Sequence, residues 1–205
     1  MPKQPMFVGN TVLLVIDIQQ SGFLDDYDGG IPTMPAYREN MLRGCEVIKA
    51  ARANNIPVIF FQEAHRPDHI DFGRELDGSE GVHCVEGARG TDIAAEQTGF
   101  TDKDYFIRKR RYSCFFGTDL EILLKGLKAE TLVLIGGMTD VCVHYTYVDG
   151  HQHDYFCRVV GDGVAGTTDA AHQASLNAME YLQAGAVRSA EEIIAGFAGA
   201  AAKAA

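Results

Sequence analysis

The chain has 205 residues, of which 46% are hydrophobic and 22% charged, and its formal net charge is −10 at pH 7. This length predicts one fair-sized domain that spans residues 1–205. The acidic balance argues against a nucleic-acid partner, because binding phosphates requires an excess of Lys and Arg on one face. No stretch approaches the ~18 apolar residues of a membrane span, and residues 1–5 contain no apolar signal core. We therefore expect a cytoplasmic protein with no membrane partner.

Five cysteines are spread along the chain without a CxxC pair: Cys45, Cys84, Cys114, Cys142 and Cys157. An odd number at wide spacing does not predict a disulfide framework and favours a reducing compartment. Most free cysteines behave as small buried hydrophobic residues. A reactive thiol must therefore be identified from its position in the fold.

The first half of the chain alternates apolar runs with helical spacing. Residues 11–16 form a continuous run rich in β-branched side chains, which is typical of a strand buried on both faces. Helical spacing follows over 39–54, and a second apolar run at 57–61 predicts the next strand. Residues 63–91 have no clear period. An irregular segment of this length in a compact domain is usually functional or ordered by a partner.

The second half continues the alternation. The predicted strands are 104–107, 131–135, 156–160 and 186–188, and the predicted helices are 119–128, 140–154, 168–184 and 190–198. The Ala-rich and Gly-rich tail over 198–205 is expected to fray.

Strands that alternate with helices form βαβ units. The sequence therefore predicts a three-layer α/β/α, Rossmann-like fold with about six mainly parallel strands and helices on both faces. In such a sheet the ligand site lies beyond the carboxyl ends of the strands. The segments expected at that edge are Asp17, 62–65, 108–112, 136–142 and 161–164.

Three reactive side chains, Asp17, Lys109 and Cys142, follow predicted strands. Cys142 stands near the start of a predicted helix, where the positive helix end and free N–H groups favour a thiolate. A nearby lysine would lower the pKa of this thiol further, and a carboxylate could accept its proton. Each residue also has an ordinary alternative as a turn cap, a solvated cation or a buried thiol.

Three segments carry a resemblance to a known family. Residues 12–19 end in Asp17-Ile18-Gln19, residues 109–120 begin with Lys109, and residues 136–143 contain Cys142. In this order they resemble the first-strand, lysine and nucleophile motifs of the isochorismatase-like cysteine hydrolases. Cys114 stands where that family usually has Ala. The resemblance covers nearly the whole chain.

The resemblance implies a role for each motif residue. Cys142 would attack a carbonyl carbon to form a thioester, Asp17 would be the general base, and Lys109 would hold Asp17 ionised and favour the thiolate. A cis peptide would fall at Gly137–Met138, and the backbone N–H groups of Met138 and Cys142 would form the oxyanion hole. Such donors typically lower a barrier by ~2.7–4 kcal/mol.

No cofactor and no metal are expected. Residues 161–164 lack the full GxGxxG of a dinucleotide site, which would have to follow the first strand. Nicotinamidases of this family bind a metal through an Asp-x-His arrangement with further histidines. Here Glu63 replaces the Asp before His65; His69 follows, and no second clear histidine partner appears until His83. We interpret Glu63, His65 and His69 as a polar pocket wall, with a metal site and a solvated loop as the open alternatives.

The nucleophilic Cys142 favours hydrolysis of a C–N bond, since isochorismatases that cleave a vinyl ether do not have this cysteine. Residues 71–84 resemble the branch that acts on ureido compounds such as biuret, triuret and N-carbamoyl amino acids. An uncharged, amide-rich substrate needs hydrogen-bonding partners, and Gln19, Gln62 and Tyr112 are the candidates. The sequence thus predicts a cysteine-dependent amidohydrolase that releases ammonia from a small ureido or amide compound.

Several alternatives stay open. The chain could be a nicotinamidase-type or ureidoacrylate-type amidase, a catalytically silent binding module, or a thiol redox protein in which Cys114 partners Cys142. The resemblance implies a homo-oligomer, a dimer or a tetramer. Residues 63–91 could then be a lid or an interface.

Overall fold

A computed structural model describes residues 5–201. Within this range six strands form one sheet: β1 (Asn10–Ile16), β2 (Val58–Glu63), β3 (Tyr105–Lys109), β4 (Ala129–Gly137), β5 (Phe156–Ala165) and β6 (Val187–Arg188). The helices in the same range are α1 (Tyr37–Ala53), α2 (Ala95–Thr98), α3 (Leu120–Gly126), α4 (Cys142–Gln152), α5 (Asp169–Leu182) and α6 (Ala190–Ala201). The strand order is β3-β2-β1-β4-β5-β6, and every pair is parallel. The predicted parallel sheet is confirmed.

Both faces of the sheet are buried because successive strand side chains point to opposite sides. From β1, Leu13 and Val15 pack with α1 and α6, whereas Val12, Leu14 and Ile16 pack with α3, α4 and α5. All five side chains are fully buried, and each stabilises the fold by about 1.5–3 kcal/mol. The predicted three-layer arrangement is therefore confirmed as well.

Two boundaries differ from the sequence prediction by three residues or more. Strand β5 continues to Ala165, so residues 161–164 lie inside the strand, where the register with β4 shifts to pair Gly136 with Val164. Helix α6 continues to Ala201 instead of fraying from residue 198, because Phe197 and Ala200 are buried. Residues 202–205 of the predicted tail lie outside the described part. Among residues 5–201, no helix has both the length and the apolar character needed to cross a bilayer.

The strand order reverses at β1. The chain places β2 and β3 on one side of β1 and then returns to place β4 on the other side, and such a reversal opens a ligand crevice at the carboxyl ends of the strands. At the end of β4, Gly136 has a φ of +112°, and a Cβ there would lie 1.9 Å from the Ile16 carbonyl oxygen. A side chain at this position would therefore clash with β1. Glycine lets the two strands lie close together at the ends from which the chain continues to Asp17 and Cys142.

The segment between β2 and α2 packs on the same edge of the sheet. His65 forms a parallel bridge with Val85, and the Phe72 ring stacks on the His65 ring with centroids 3.9 Å apart. Phe72, Glu75 and His83 are buried. This segment has no regular period, yet it carries a small interior of its own, which orders it.

Candidate active site

Four side chains converge at the carboxyl edge of the sheet. Asp17 directly follows β1, Glu63 ends β2, Lys109 ends β3, and Cys142 is the first residue of α4. Three of the four were expected from the motifs. The parallel sheet brings them together because it aligns the ends of strands that are far apart in the sequence.

Lys109 lies at the centre of this group and is fully buried. Its Nζ is 2.8 Å from Asp17 Oδ2 and 2.8 Å from Glu63 Oε2. The same Nζ is 3.4 Å from Cys142 Sγ. One ammonium therefore offsets the buried carboxylate of Glu63 and the carboxylate of Asp17, which is 10% exposed, and contacts the thiol.

The ionisation of the group departs from the expectation of a resting thiolate. Burial raises the pKa of the Cys142 thiol well above its usual value, and Glu63 and Asp17 add to this effect, against the opposing charge of Lys109. Burial also raises the pKa of Asp17 to about 6, with Lys109 opposing and Glu63 reinforcing the shift. Near neutral pH the centre therefore combines a protonated thiol with an ionised Asp17.

Glu63 is the residue of this centre that sequence reasoning assigned to the pocket wall. Its Oε2 lies 3.3 Å from Cys142 Sγ, and its backbone N–H donates to Asp17 Oδ1 at 2.9 Å. Burial raises the pKa of Glu63, but Lys109 and two histidines outweigh it and hold the pKa well below its usual value. Glu63 pairs with Lys109 in the β2–β3 register, and its place just after the apolar run 57–61 is the sequence signal that pointed to this edge.

The turn between β4 and α4 aims Cys142 at this group. The Thr139 N–H donates to the Ala165 carbonyl at 2.8 Å, and Asp140 accepts hydrogen bonds from the backbone N–H and hydroxyl of Thr167. The Gly137–Met138 peptide is cis. The backbone N–H groups of Met138 and Cys142 donate to no group within residues 5–201. Both donors thus have no acceptor among the described residues, and both residues line the cavity.

A cavity of about 500 Å³ opens above Cys142. Its inner wall includes Asp17, Glu63, Cys84 and Met138. Its outer wall comes from the loop before α1 and from the first turn of that helix, including Tyr37. The sequence did not single out Cys84 or Tyr37, because their approach to Cys142 depends on the paths of two irregular loops.

The three candidate substrate-binding residues have different positions. Gln19 lines the cavity, but its amide NH₂ donates to the Glu63 and Thr91 carbonyls, at 3.1 and 2.6 Å. Gln62 donates to the same Thr91 carbonyl at 2.9 Å and is absent from the cavity wall. Tyr112 donates to Glu80 Oε2 at 3.0 Å in a separate cavity. The amide groups of Gln19 and Gln62 thus hold backbone carbonyls in place. Of the three candidates, only Gln19 lines the cavity above Cys142.

Cys114, the candidate redox partner, is fully buried within the hydrophobic cluster on the α3–α4–α5 side of the sheet. Its backbone N–H donates to Thr146 Oγ1 at 2.9 Å, and burial raises the pKa of its thiol. It does not line the cavity above Cys142. The cavity thiol besides Cys142 is Cys84.

Behind Glu63 lies a second group of buried ionisable side chains: Glu63, His65, Glu75 and His83. His65 Nε2 is 3.3 Å from Glu63 Oε1 and 3.2 Å from Glu75 Oε2. His83 Nε2 is 3.4 and 3.9 Å from the same two oxygens. His69, named with Glu63 and His65 from the sequence, is exposed instead; His83 and Glu75 complete the group.

These four residues fit a divalent cation. Ligand atoms at about 2.0 Å from a tetrahedral ion are about 3.3 Å apart, which is close to the observed separations. Both carboxylate oxygens of Glu75 and Nε2 of His83 are buried without a hydrogen bond to any part of residues 5–201. His83 Nδ1 lies 2.7 Å from the Gly81 carbonyl, which can only accept. Neutral His83 therefore turns a lone pair on Nε2 towards the group, as a metal ligand must.

Comparison with known proteins agrees with this geometry. The family model described as the isochorismatase domain matches residues 11–192. The ureidoacrylate amidohydrolase RutB of Methylorubrum extorquens is 32% identical over 88% of this chain and 76% of its own length. An isochorismatase-like hydrolase structure from Alkaliphilus metalliredigens matches with a TM-score of 0.79 and 27% identity, over 92% of this chain and all of the other.

A second solved structure has the same fold. The N-carbamoylsarcosine amidase of Thermoplasma acidophilum matches with a TM-score of 0.74 and 25% identity, over 89% of this chain and 97% of the amidase. The family model covers well over half of the chain, and the sheet carries the motif residues at the expected edge. The chain therefore belongs to the isochorismatase family.

Proposed function

We propose that this protein hydrolyses a C–N bond of a small ureido or amide compound, of the biuret, triuret or N-carbamoyl type, through a thioester on Cys142. The observation that carries the proposal is the contact of Cys142 Sγ with Lys109 Nζ at 3.4 Å, on the floor of a cavity that Asp17 also lines. Two relatives named for hydrolysis of ureido compounds support the choice of bond.

Asp17 suits the general base better than Glu63 does. Both carboxylates lie within 4.8 Å of Cys142 Sγ. A base works best when its pKa is near the working pH, and the pKa of Asp17 is about 6 whereas that of Glu63 is held low. Glu63 instead shares the charge of Lys109 and positions both partners.

The proposed reaction has two halves. The thiol of Cys142 gives its proton to Asp17 while the sulfur bonds to the carbonyl carbon, and the Met138 and Cys142 N–H groups bind the oxyanion. The C–N bond breaks, and ammonia leaves with the proton that Asp17 returns. Water then attacks the thioester, Asp17 takes its proton and passes it to the sulfur, and the acid product leaves.

A screen of ammonia release tests the substrate class. Biuret, triuret, N-carbamoyl amino acids, ureidoacrylate and nicotinamide would be compared at equal concentration, with the Cys142→Ala variant as the blank. We expect release from at least one ureido compound. Release from nicotinamide alone would overturn the ureide proposal.

The pH profile tests the role of Asp17. Because this carboxyl must be ionised to accept the thiol proton, kcat/KM should fall by about tenfold per pH unit below the pKa of Asp17, which is about 6. Measuring kcat/KM on the best substrate from about pH 3 to about pH 8 would show where this fall begins. A limb near pH 4 would mean that an unshifted carboxyl is the base.

A nicotinamidase-type amidase is the second candidate, and the group of Glu63, His65, Glu75 and His83 favours it. A divalent cation held there would add positive charge behind Glu63. Among the four residues, however, only Glu63 lines the catalytic cavity. This enclosure favours the ureide proposal, since a cation there would be screened from the substrate.

Zinc binding gives a direct test of the group. We expect Zn²⁺ to copurify or bind stoichiometrically and to raise Tm, because four protein ligands bind it only in the folded state. Glu75→Gln should lose the ion, whereas Glu80→Gln, a carboxylate that contacts Tyr112 instead, should keep it. Metal analysis measures the bound zinc, and thermal unfolding with and without a chelator measures the change in Tm.

If wild type binds no Zn²⁺, the group is an ion-paired network with protonated histidines. Glu63 and Glu75 overcome the effect of burial and raise the pKa of His65 to about 9.

A further inference from the structure

The outer part of the catalytic cavity carries its own charged side chains. Asp25, Asp28 and Arg38 line it and are exposed, whereas Asp17 is partly exposed and Glu63 is buried. Arg38 Nη1 lies 2.6 Å from Asp25 Oδ1. The side chains of Arg38 and Asp25 are 52% and 88% exposed, so this pair stands at the mouth.

The cations near this cavity are already matched by carboxylates. Lys109 faces Asp17 and Glu63 at 2.8 Å each, and Arg38 is paired with Asp25. Asp28 accepts from the Gly30 N–H at 2.9 Å and has no cationic partner within residues 5–201. Within the same range, Arg38 is the one Lys or Arg on the cavity wall. Four wall carboxylates therefore face one guanidinium and one buried ammonium.

A substrate carboxylate would enter this cavity without a free cation to meet it. It would lose water and approach Asp28 and the inner carboxylates, and Arg38 could pair with it only by leaving Asp25. Like charges at close range disfavour a ligand strongly, and specificity often depends on such repulsion. An uncharged acyl urea instead presents N–H donors to the same carboxylate oxygens and to the Tyr37 and Ser21 hydroxyls.

We propose that the charge pattern of this cavity selects an uncharged, N–H-rich acyl urea over a ureido acid, with Asp25 and Asp28 as specificity-determining residues. This inference rests on the proposed function and narrows it. It assigns the chain to neutral ureides of the biuret kind and excludes ureidoacrylate and N-carbamoyl amino acids as preferred substrates.

The test uses two compounds with the same ureido group, N-carbamoylglycine and its uncharged N-methylamide, with biuret as a third substrate. Only the ureido group of the matched pair releases ammonia. We expect kcat/KM to be about tenfold or more higher for the N-methylamide, which is the size of one unfavourable charge contact. A higher salt concentration should reduce this difference in kcat/KM, because salt screens the exposed charges at the cavity mouth.

The double variant Asp25→Asn/Asp28→Asn should lower the preference for the uncharged compound, since it frees Arg38 and removes two anions. Asp102→Asn, an exposed carboxylate away from the cavity, is the matched control and should keep the preference. A wild-type preference for N-carbamoylglycine would overturn the inference while the ureide function stands. An unchanged preference in the double variant would also overturn it. If no ureido compound releases ammonia, the proposed function fails and the inference fails with it.

Discussion

Replacing Cys142 with alanine is expected to lower kcat by about 10⁴-fold or more, because removing a covalent nucleophile abolishes the thioester route. The fold should survive. Cys142 is a small side chain at the first position of α4, and the backbone bonds of Thr139 and the side-chain bonds of Asp140 hold the turn without its sulfur. Ammonia release under saturating substrate, together with thermal unfolding, measures both effects.

Cys114→Ala is the matched control for this experiment. It removes another buried thiol near the centre, and the resemblance places alanine at this position in the family. We expect nearly full activity from Cys114→Ala. Full turnover in Cys142→Ala would refute the nucleophile assignment, whereas equal losses in both variants would indicate that the two thiols act together.

Replacing Lys109 with methionine should have the largest effect on stability. The ammonium lies 2.8 Å from Asp17 and from Glu63 in a fully buried position. Its removal leaves two buried carboxylates side by side, and breaking a buried ion pair in this way typically costs about 3–5 kcal/mol. Methionine keeps most of the side-chain volume of lysine. The loss in the free energy of unfolding therefore comes from the missing charge and not from poorer packing. Urea unfolding measures it, with Lys103→Met, an exposed lysine, as the control.

The stability deficit of Lys109→Met should depend on pH. Without the lysine, burial and the charge of Glu63 raise the pKa of Asp17 further above its unfolded value, so the folded state binds more protons than the unfolded chain. Stability then falls as pH rises, and the deficit is larger at about pH 7.5 than at about pH 5. Adding Glu63→Gln should restore part of the loss at the higher pH. A deficit that is equal at both pH values would show that cavity formation, not charge, causes it.

The convergence of the three candidate catalytic residues was predictable because each follows an apolar run in a chain of βαβ units. Asp17, Lys109 and Cys142 come directly after or at the end of buried segments, and in a parallel sheet such positions share one edge. The apolar runs themselves predicted all six strands, although β2, β3, β4 and β5 end later than expected. Strand boundaries shifted because pairing with a neighbour, and not composition alone, decides where a strand ends.

The rest of the site could not be predicted because it depends on irregular segments. Residues 63–91 have no period, so nothing in their pattern brings His83 and Glu75 to Glu63, or Cys84 to the cavity. The ionisation of Cys142 also depends on burial and on two neighbouring carboxylates, which the helix start and a nearby lysine could not reveal.

The amino-acid sequence by itself determined the layered fold, the edge at which the site lies and the three motif residues, since hydrophobic periodicity and local motifs act over short spans. Only the tertiary structure decided that Lys109 lies between two carboxylates, that Glu63 belongs to the centre and that, among residues 5–201, no unpaired cation lines the cavity mouth. These features depend on distances between side chains from distant segments, and the electrostatic effect of a charge is set by those distances and by burial.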